Sequence, residues 1–218
     1  MTSRLLRTVA APLLLLVACC GCASPQAPAA VPSGPASPSV ALPVTAAELE
    51  ALLVDAVPSG LPLVPDDELD PPAGEKTVDD VARYGDDAQE ERKVLTDYGY
   101  QRGWERFWRS GTALTSVFLD QFSDAAGAGS YAEDLAHNDA AYYDGRLDSA
   151  PADLPRGCVL MARDQPAPDQ GFAGPAAFAW CAAGVFTVSV AAVAATPQAA
   201  RAELTAVTAD QLARLPTG

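Results

Sequence analysis

The feature of the sequence that most constrains its fold is a pair of β-rich segments followed at once by a helix. Residues 99–109 and 112–122 concentrate β-branched and aromatic side chains, and Ser110-Gly111 between them is typical of a hairpin turn. Asp124 is a favourable helix N-cap, and apolar residues after it fall on one helical face. That face comprises Ala128, Tyr131, Ala132 and Leu135. The pattern predicts an antiparallel hairpin with a helix packed on it.

The C-terminal part of the chain has the same order of elements. Residues 176–182 and 185–193 are predicted strands, and Thr196-Pro197 supplies a cap and a first-turn proline for the last helix. Its buried side is marked by Ala200, Leu204, Val207 and Leu215. A shift of 72 residues aligns Asp124 with Thr196. The alignment raises the possibility of an internal ββα repeat.

Three further elements complete the prediction. Cys158–Arg163 is another strand, and a helix is expected over 86–98. Thr45 opens a capping box for the first helix, whose apolar face is Leu49, Leu52, Leu53 and Ala56. The fold class is therefore α+β, with an antiparallel sheet of about five strands and helices packed on one face. The uncharged stretch 170–200 is long enough to span a bilayer, but glycine, proline and alternating Thr187 and Ser189 favour strands.

The N-terminus has the pattern of an export signal. Arg4 and Arg7 precede a short apolar run, Val9–Ala18, which is about half the length of a membrane span. The run ends in Leu16-Val17-Ala18-Cys19, which resembles a bacterial lipobox. In that family the cysteine thiol receives a diacylglyceryl group and the peptide is cut before it. Cys19 is thus the expected lipidated residue, and 1–18 the signal peptide.

Cys22 is the alternative acylated residue, because it follows the small Gly21. Cys19 is preferred, because cleavage before Cys22 would place a cysteine where an aliphatic residue is favoured. Residues 19–44 are rich in proline and alanine and predict a semi-rigid tether. A single extracytoplasmic domain then covers 45–218, on the outer face of the cell membrane.

Charge restricts the possible partners. The full chain has a formal charge of −14, and the leader holds two of its 14 basic residues, so the mature chain lies near −16. Such a charge repels nucleic acid, and no nucleic-acid partner is expected. Lysine is limited to Lys76 and Lys93, while Arg, Ala, Gly and Pro are abundant. This bias is typical of a high-GC genome and, with the lipobox, suggests an actinobacterial origin.

Cys158 and Cys181 are the two cysteines outside the leader region. An exported chain folds in an oxidising compartment, so the pair predicts a disulfide rather than two buried free thiols.

Aromatic and basic side chains alternate along the first strand. Alternation places such side chains on one face of a sheet. They form a possible ligand platform, made of Tyr100, Arg102, Trp104, Arg106 and Trp108. The same residues could instead fill the core between sheet and helices, and that interpretation is favoured.

Catalytic and metal motifs are scarce. The single histidine, His137, has no matched nucleophile and is expected to be a polar residue near a helix end. Carboxylates cluster over 66–70, 79–80 and 86–87, without the spacing of a calcium loop, and predict a solvated acidic surface. No catalytic residue, metal site or cofactor is expected. Paired carboxylates facing each other across a cleft would still permit a hydrolase.

Three phrases of the sequence resemble a group of actinobacterial secreted lipoproteins. They are Leu61-Pro-Leu-Val-Pro65, the run Tyr98–Arg106, and the run Asp120–Ala128, in which a strand ends in Phe and a helix opens with Asp-x-x-Gly-Ala. In size and element order the chain is similar, over about 49–215, to PknH-type extracellular sensor domains and LpqN-type lipoproteins. It lacks the second cysteine pair often found in the sensor domains.

The resemblance implies a non-enzymatic module that binds an envelope lipid, glycan or protein. An envelope hydrolase that uses two carboxylates is the alternative.

Changing Cys19 to serine tests the anchor. Cys19→Ser should leave the precursor uncut and move the protein from the detergent phase to the aqueous phase in a detergent partition. Cys22→Ser is the matched control and should behave as wild type. If the Cys19→Ser protein still partitions into detergent, then either Cys22 is the lipidated residue or the predicted lipid anchor is wrong.

Overall fold

The computed structural model describes residues 41–216. The signal peptide, Cys19 and most of the tether lie outside the described residues and remain predictions. The tether was expected to extend to residue 44, but Pro43 is already buried, and its carbonyl accepts a hydrogen bond of 3.0 Å from the Gln121 side chain. Contact with the domain thus begins slightly before Thr45.

The described residues form five α-helices and seven β-strands. The helices are α1 (Ala46–Glu50), α2 (Val78–Ala82), α3 (Ala88–Asp97), α4 (Ala125–Tyr142) and α5 (Pro197–Ala213). The strands are β1 (Gly74–Lys76), β2 (Tyr100–Ser110), β3 (Ala113–Phe122), β4 (Leu147–Asp148), β5 (Cys158–Arg163), β6 (Ala176–Ala183) and β7 (Phe186–Val193). Short 3-10 turns cover Asp66–Glu68 and Pro168–Gln170.

All seven strands form one antiparallel sheet in the order β1-β2-β3-β7-β6-β5-β4. Two hairpins build its centre, β2–β3 and β6–β7. Gly111 and Gly184 have the positive φ that each two-residue turn requires. The α+β class agrees with the sequence, but seven strands replace the five that were expected. The two additional strands are β1 and β4, of three and two residues, at opposite edges of the sheet.

Helices cover both faces of the sheet, so the expectation of helices on one face is wrong. On one face α1 and α5 pack on alternate strand residues such as Val117, Leu119 and Val188. On the other face α4 covers Phe122, Phe178 and neighbouring residues, with α2 and α3 beside it. The physical reason is that the central strands carry apolar side chains on both sides, and each apolar face needs a cover.

No internal repeat is shown by residues 41–216. Each hairpin is followed by a helix, and the caps at Asp124 and Thr196 both accept a backbone hydrogen bond as expected. The two helices, however, pack mainly on opposite faces of the sheet. The alignment at 72 residues reflects a shared order of elements.

The first helix is shorter than its apolar spacing predicts. The Thr45 capping box forms, but α1 ends at Glu50, before Leu52 and Leu53. The Gln211 side chain donates to the Leu52 carbonyl (2.9 Å) and accepts from the Val54 N–H (3.0 Å). Tertiary hydrogen bonds to the backbone thus replace a continued helix. Leu49 and Leu53 are nevertheless fully buried in the core, as their spacing indicated.

The structure joins Cys158 and Cys181 in a disulfide. The two residues are directly opposite each other in β5 and β6, with Cα atoms 4.0 Å apart. Both are buried under α1 and α5. Within residues 41–216 no helix has the length and apolar character needed to cross a bilayer. Most of the uncharged stretch 170–200 is occupied by β6 and β7.

Trp108 is a sensitive test of this core, because only 1% of its surface is exposed. Trp108→Ala should lower the free energy of unfolding by about 3–5 kcal/mol, since it leaves a cavity between β2 and α1. Denaturant unfolding measures the loss. Tyr142→Ala, which removes an aromatic ring that is 67% exposed, is the control and should change stability little. A Trp108→Ala protein as stable as the control would contradict the packing described.

Candidate functional site

A cleft of about 560 Å³ opens on the α4 face of the sheet. This volume is in the range of cavities that hold drug-sized ligands. The cleft is lined by six aromatic residues, four acidic residues and five others: Tyr84, Phe107, Phe118, Tyr131, Tyr143 and Trp180; Asp70, Glu105, Asp120 and Asp139; Leu69, Pro71, Val81, Leu135 and Ser189.

The floor of the cleft is built by four neighbouring strands. Glu105 and Phe107 come from β2, Phe118 and Asp120 from β3, Ser189 from β7 and Trp180 from β6. Residues two apart on a strand point to the same side, so the alternation of each strand brings this set together. Strand pairing, rather than closeness in sequence, creates the floor.

One wall is a single stripe of α4. Tyr131, Leu135, Asp139 and Tyr143 are spaced by four residues and therefore share one helical face. The helix is fixed at its start, where the Asp124 side chain accepts from the Gly127 N–H at 2.9 Å. A Cβ at Gly127 would collide with the Tyr98 carbonyl, so glycine permits the close approach of α4 to the end of α3.

The opposite wall is the loop between residues 64 and 74. Both of its ends are attached to the outer edge of β2: the Val64 N–H donates to the Phe107 carbonyl (2.8 Å), and Gly74 pairs with Glu105. The Ala73 N–H also closes the loop by donating to the Asp66 carbonyl at 3.0 Å. Leu69, Asp70 and Pro71 lie in this loop and line the cleft.

Asp120 is a carboxylate in the centre of the sheet, with 8% of its surface exposed. The Tyr100 hydroxyl donates to its Oδ1 at 3.1 Å. Its cross-strand partner is Gly103, where a Cβ would collide with both the Asp120 carboxylate and the Tyr100 hydroxyl. Burial raises the pKa of Asp120 to about 7, the Tyr100 hydrogen bond opposes the rise, and the nearby charge of Glu105 adds to it.

Glu105 lies beside Asp120 and is even less exposed, at 4% of its surface. The Tyr84 hydroxyl donates to its Oε1 at 2.8 Å, and Lys76 Nζ lies 3.4 Å from its Oε2. Burial raises the pKa of Glu105, while the Tyr84 hydrogen bond and the Lys76 charge oppose the rise. Both oxygens of Glu105 therefore already have partners within the protein.

Asp139 faces the floor of the cleft from α4. Burial raises its pKa to about 6, and a hydrogen bond from the Trp180 side chain opposes the rise. Ser189 lines the same space, and its buried hydroxyl oxygen has no hydrogen-bond partner among the described residues. At neutral pH the cleft thus presents carboxyl groups that can donate or accept, together with aromatic side chains, and the unpaired Ser189 hydroxyl lies buried in its floor.

The predicted aromatic platform is divided between the two faces. A bulge between Tyr100 and Arg102 shifts the strand register, so Tyr100 pairs with Phe122 and packs on the α4 side. Trp104, Arg106 and Trp108 point to the other side; the two tryptophans pack with the core there. Arg106 donates to the Val54 carbonyl and to Glu50, at 3.0 Å each. Tyr100 and Trp108 are buried, and the other three residues are half-buried.

The remaining candidates lie away from the cleft. His137 is exposed on α4, with its Nδ1 2.8 Å from the Glu133 carbonyl oxygen. The acidic cluster at 66–68 forms an exposed 3-10 turn. Asp80 caps α2, and Asp79 pairs with Arg92. In the described part of the chain, no group of three or more Asp, Glu, His or Cys residues is close enough to hold a metal ion.

The sequence analysis did not single out Glu105, Asp120 or Asp139. A signal for Asp120 was present: it is the one charged residue in the otherwise β-forming segment 112–122. The spacing Tyr131, Leu135, Asp139, Tyr143 was also visible as a helical stripe that contains a carboxylate. What could not be read was that these two positions line the same cleft.

Comparison with known proteins gives one weak similarity. No family model matches the chain, and no curated protein matches it. The crystal structure of the extracellular domain of PknH from Mycobacterium tuberculosis is similar at 15% identity and a TM-score of 0.46, over 80% of this chain and 99% of that domain. A similarity of this degree says nothing about a ligand, so the function must be inferred from the residues themselves.

Asp120→Asn tests the buried carboxylate. The pKa of Asp120 in the folded chain is about 7, above the unfolded value of about 3.9, so its contribution to stability is lost as pH rises from about 4 to 7. Asparagine can still accept from Tyr100 but does not ionise. The variant should therefore gain stability relative to wild type across this window, by roughly 2–4 kcal/mol at pH 8, at 1.36 kcal/mol per pKa unit.

Thermal or denaturant unfolding at pH 4 and pH 8 measures this gain. Asp210→Asn, at an exposed position of α5, controls for the loss of one carboxylate. An Asp120→Asn protein that is less stable than wild type at pH 8 would contradict the uncompensated burial of Asp120.

Proposed function

We propose that this chain is a lipid-anchored extracytoplasmic protein whose domain is a non-enzymatic binding module, with the cleft beside α4 as its ligand site. The single observation that carries the proposal is the cleft itself. It is about 560 Å³, lies between sheet and helix, and has six aromatic residues and several polar groups in its lining. Largely apolar cavities with a few convergent polar groups are the usual form of small-molecule sites.

The sequence supports the location. The lipobox at Cys19 and the proline-rich segment after it are those of an anchored, tethered domain. The buried Cys158–Cys181 disulfide is consistent with folding in an oxidising compartment. The outer face of the cell membrane is the proposed location.

The shape of the site favours a small molecule over a protein partner. Protein interfaces of standard size bury about 800 Å² on each side and are broad, whereas this cleft is enclosed by the sheet, α4 and the loop around Leu69–Pro71. Among envelope components, a small molecule with an apolar body, such as a lipid or a glycan fragment with apolar groups, fits such a lining. The aromatic strand β2 is proposed as part of the core rather than as a platform.

Analysis of co-purifying molecules tests this proposal. The native, lipidated protein should retain a small molecule that mass spectrometry detects after denaturation. Ser189→Leu fills the floor of the cleft and should abolish its retention, whereas Ser149→Leu, at an exposed loop position, should not. Retention of the same molecule by both variants would place the binding site elsewhere, and its absence from the wild type would contradict the proposal.

A hydrolase is the second candidate, because the cleft brings Glu105, Asp120 and Asp139 together. Glu105 and Asp120 are diagonal neighbours across β2 and β3, a relation that separates Cα atoms by roughly 7–8 Å. Glycosidase carboxylates are about 5–9 Å apart. Glu105, however, is only 4% exposed and is paired with Lys76 and Tyr84. A binding module is therefore preferred over a hydrolase. Turnover of an envelope glycan by the wild type that is abolished in Asp120→Asn would favour the hydrolase instead.

A further inference from the structure

The acidic residues of the cleft are not balanced by basic ones. None of the fifteen lining residues is Lys, Arg or His. Among residues 41–216, Glu105 is the lining carboxylate with an ion pair, formed with Lys76. Asp120 and Asp139 take part in no ion pair in that part of the chain. An anionic ligand would therefore meet like charges without a compensating cation.

Asp120 is more than nine-tenths buried and has spare hydrogen-bonding capacity toward the cleft. Among the described residues its one hydrogen bond is from the Tyr100 hydroxyl to Oδ1, so Oδ2 is without a donor. A buried carboxylate is normally paired or fully hydrogen-bonded. The Ser189 hydroxyl, also in the lining, is likewise unpartnered. Asp120 Oδ2 can therefore accept a hydrogen bond from a ligand.

Aromatic rings surround the same space. Phe107 and Phe118 lie edge to face at 5.5 Å on the floor. The rings of Trp180 and Tyr143 both stack on the ring of Phe178, with centroid distances of 5.9 Å and 5.4 Å. The negative faces of aromatic rings attract cations within about 6 Å, and their area favours an apolar body.

We propose that the cleft binds an organic cation, an ammonium group carried on an apolar or aromatic body. The proposal rests on the proposed function, because it requires the cleft to be a ligand site. Asp139 would receive a hydrogen bond from the ammonium group, Asp120 would add negative charge to the same cleft, and the aromatic residues would enclose the rest. A bare metal ion fits less well, because the described carboxylates do not converge in groups of three.

Binding of such a ligand should depend on pH. The pKa of Asp139 is about 6 and that of Asp120 about 7, so both gain charge between pH 5 and 8. Two titratable residues near them, Glu105 and Tyr100, lie on β2, and Glu105 pairs with Lys76. The other titratable residues are three tyrosines: Tyr84 after α2, Tyr131 on α4 and Tyr143 directly after α4. Burial raises the pKa values of these tyrosines, so they stay neutral in this range. Affinity for an ammonium group should rise with pH.

Three probes with one shared body test the charge. They are 2-phenylethylamine, 2-phenylethanol and 3-phenylpropanoate, which are cationic, neutral and anionic at neutral pH. Calorimetric titration of the full chain should give tightest binding for the amine, by about tenfold or more over the alcohol, a factor worth 1.4 kcal/mol. Amine affinity should rise from pH 5 to 8, and alcohol affinity should not.

Asp139→Asn should weaken amine binding at least tenfold and leave alcohol binding unchanged. Asp210→Asn, on the opposite face of the sheet, removes the same charge from the chain and should leave both unchanged. The inference would be overturned if the alcohol or the carboxylate bound as tightly as the amine or more tightly. It would also be overturned if the amine did not bind.

The failure of the inference is distinguishable from the failure of the proposed function. The search for a co-purifying molecule, with Ser189→Leu as its blocked variant, makes no assumption about charge. A neutral or anionic molecule retained by the wild type and lost from Ser189→Leu would uphold the ligand site and refute the cation.

Discussion

The pairing of β3 with β7 is the constraint on which the rest of the structure depends. The register runs without interruption from Leu114 opposite Val193 to Gln121 opposite Phe186, and it joins the two hairpins into one sheet. Both strands lie in the middle of the sheet and are covered by helices on each side. Every polar side chain on them must therefore find a partner or a cavity. Thr187 does so by donating to the Ala128 carbonyl of α4, at 2.8 Å.

Local signals predicted most elements but not their arrangement. The strand Cys158–Arg163 has the predicted bounds, and the predicted caps at Asp124 and Thr196 both form. Helix caps and hairpin turns can be predicted because they depend on residues that are close in sequence. β1 and β4 are too short to show a periodicity, and each is defined only by its pairing with a later strand. The bulge after Tyr100 could not be read either. It places Tyr100 on the opposite face of the sheet from the one that strict alternation with Arg102 and Trp104 predicts.

The candidate site was harder to predict, because its residues come from the loop before β1, the segment around α2, four strands and α4. Residues such as Asp120 and Asp139 are ordinary on their own. They become a site only when α4 packs on the sheet, and the position of α4 depends on apolar contacts and on Gly127, which allows its close approach to the end of α3. The five residues considered as a possible platform do not all share one face for a similar reason: alternation gives a face only where the strand is regular.

The pair formed by Gly103 and Asp120 is costly for the fold in two ways. Glycine in a strand interior lacks a side chain to pack and weakens the strand, and a buried carboxylate without a cation loses hydration that one hydrogen bond does not replace. Packing requires the glycine, because a Cβ at Gly103 would collide with the Tyr100 hydroxyl and the Asp120 side chain, but it does not require the carboxylate, because an asparagine at 120 could accept the same bond from Tyr100. What the combination does is hold a carboxylate at the floor of a cleft that Asp139 and aromatic rings also line. Departures of this kind from what a fold favours are expected where a chain binds something, and here the departure points to a ligand that supplies the missing positive charge.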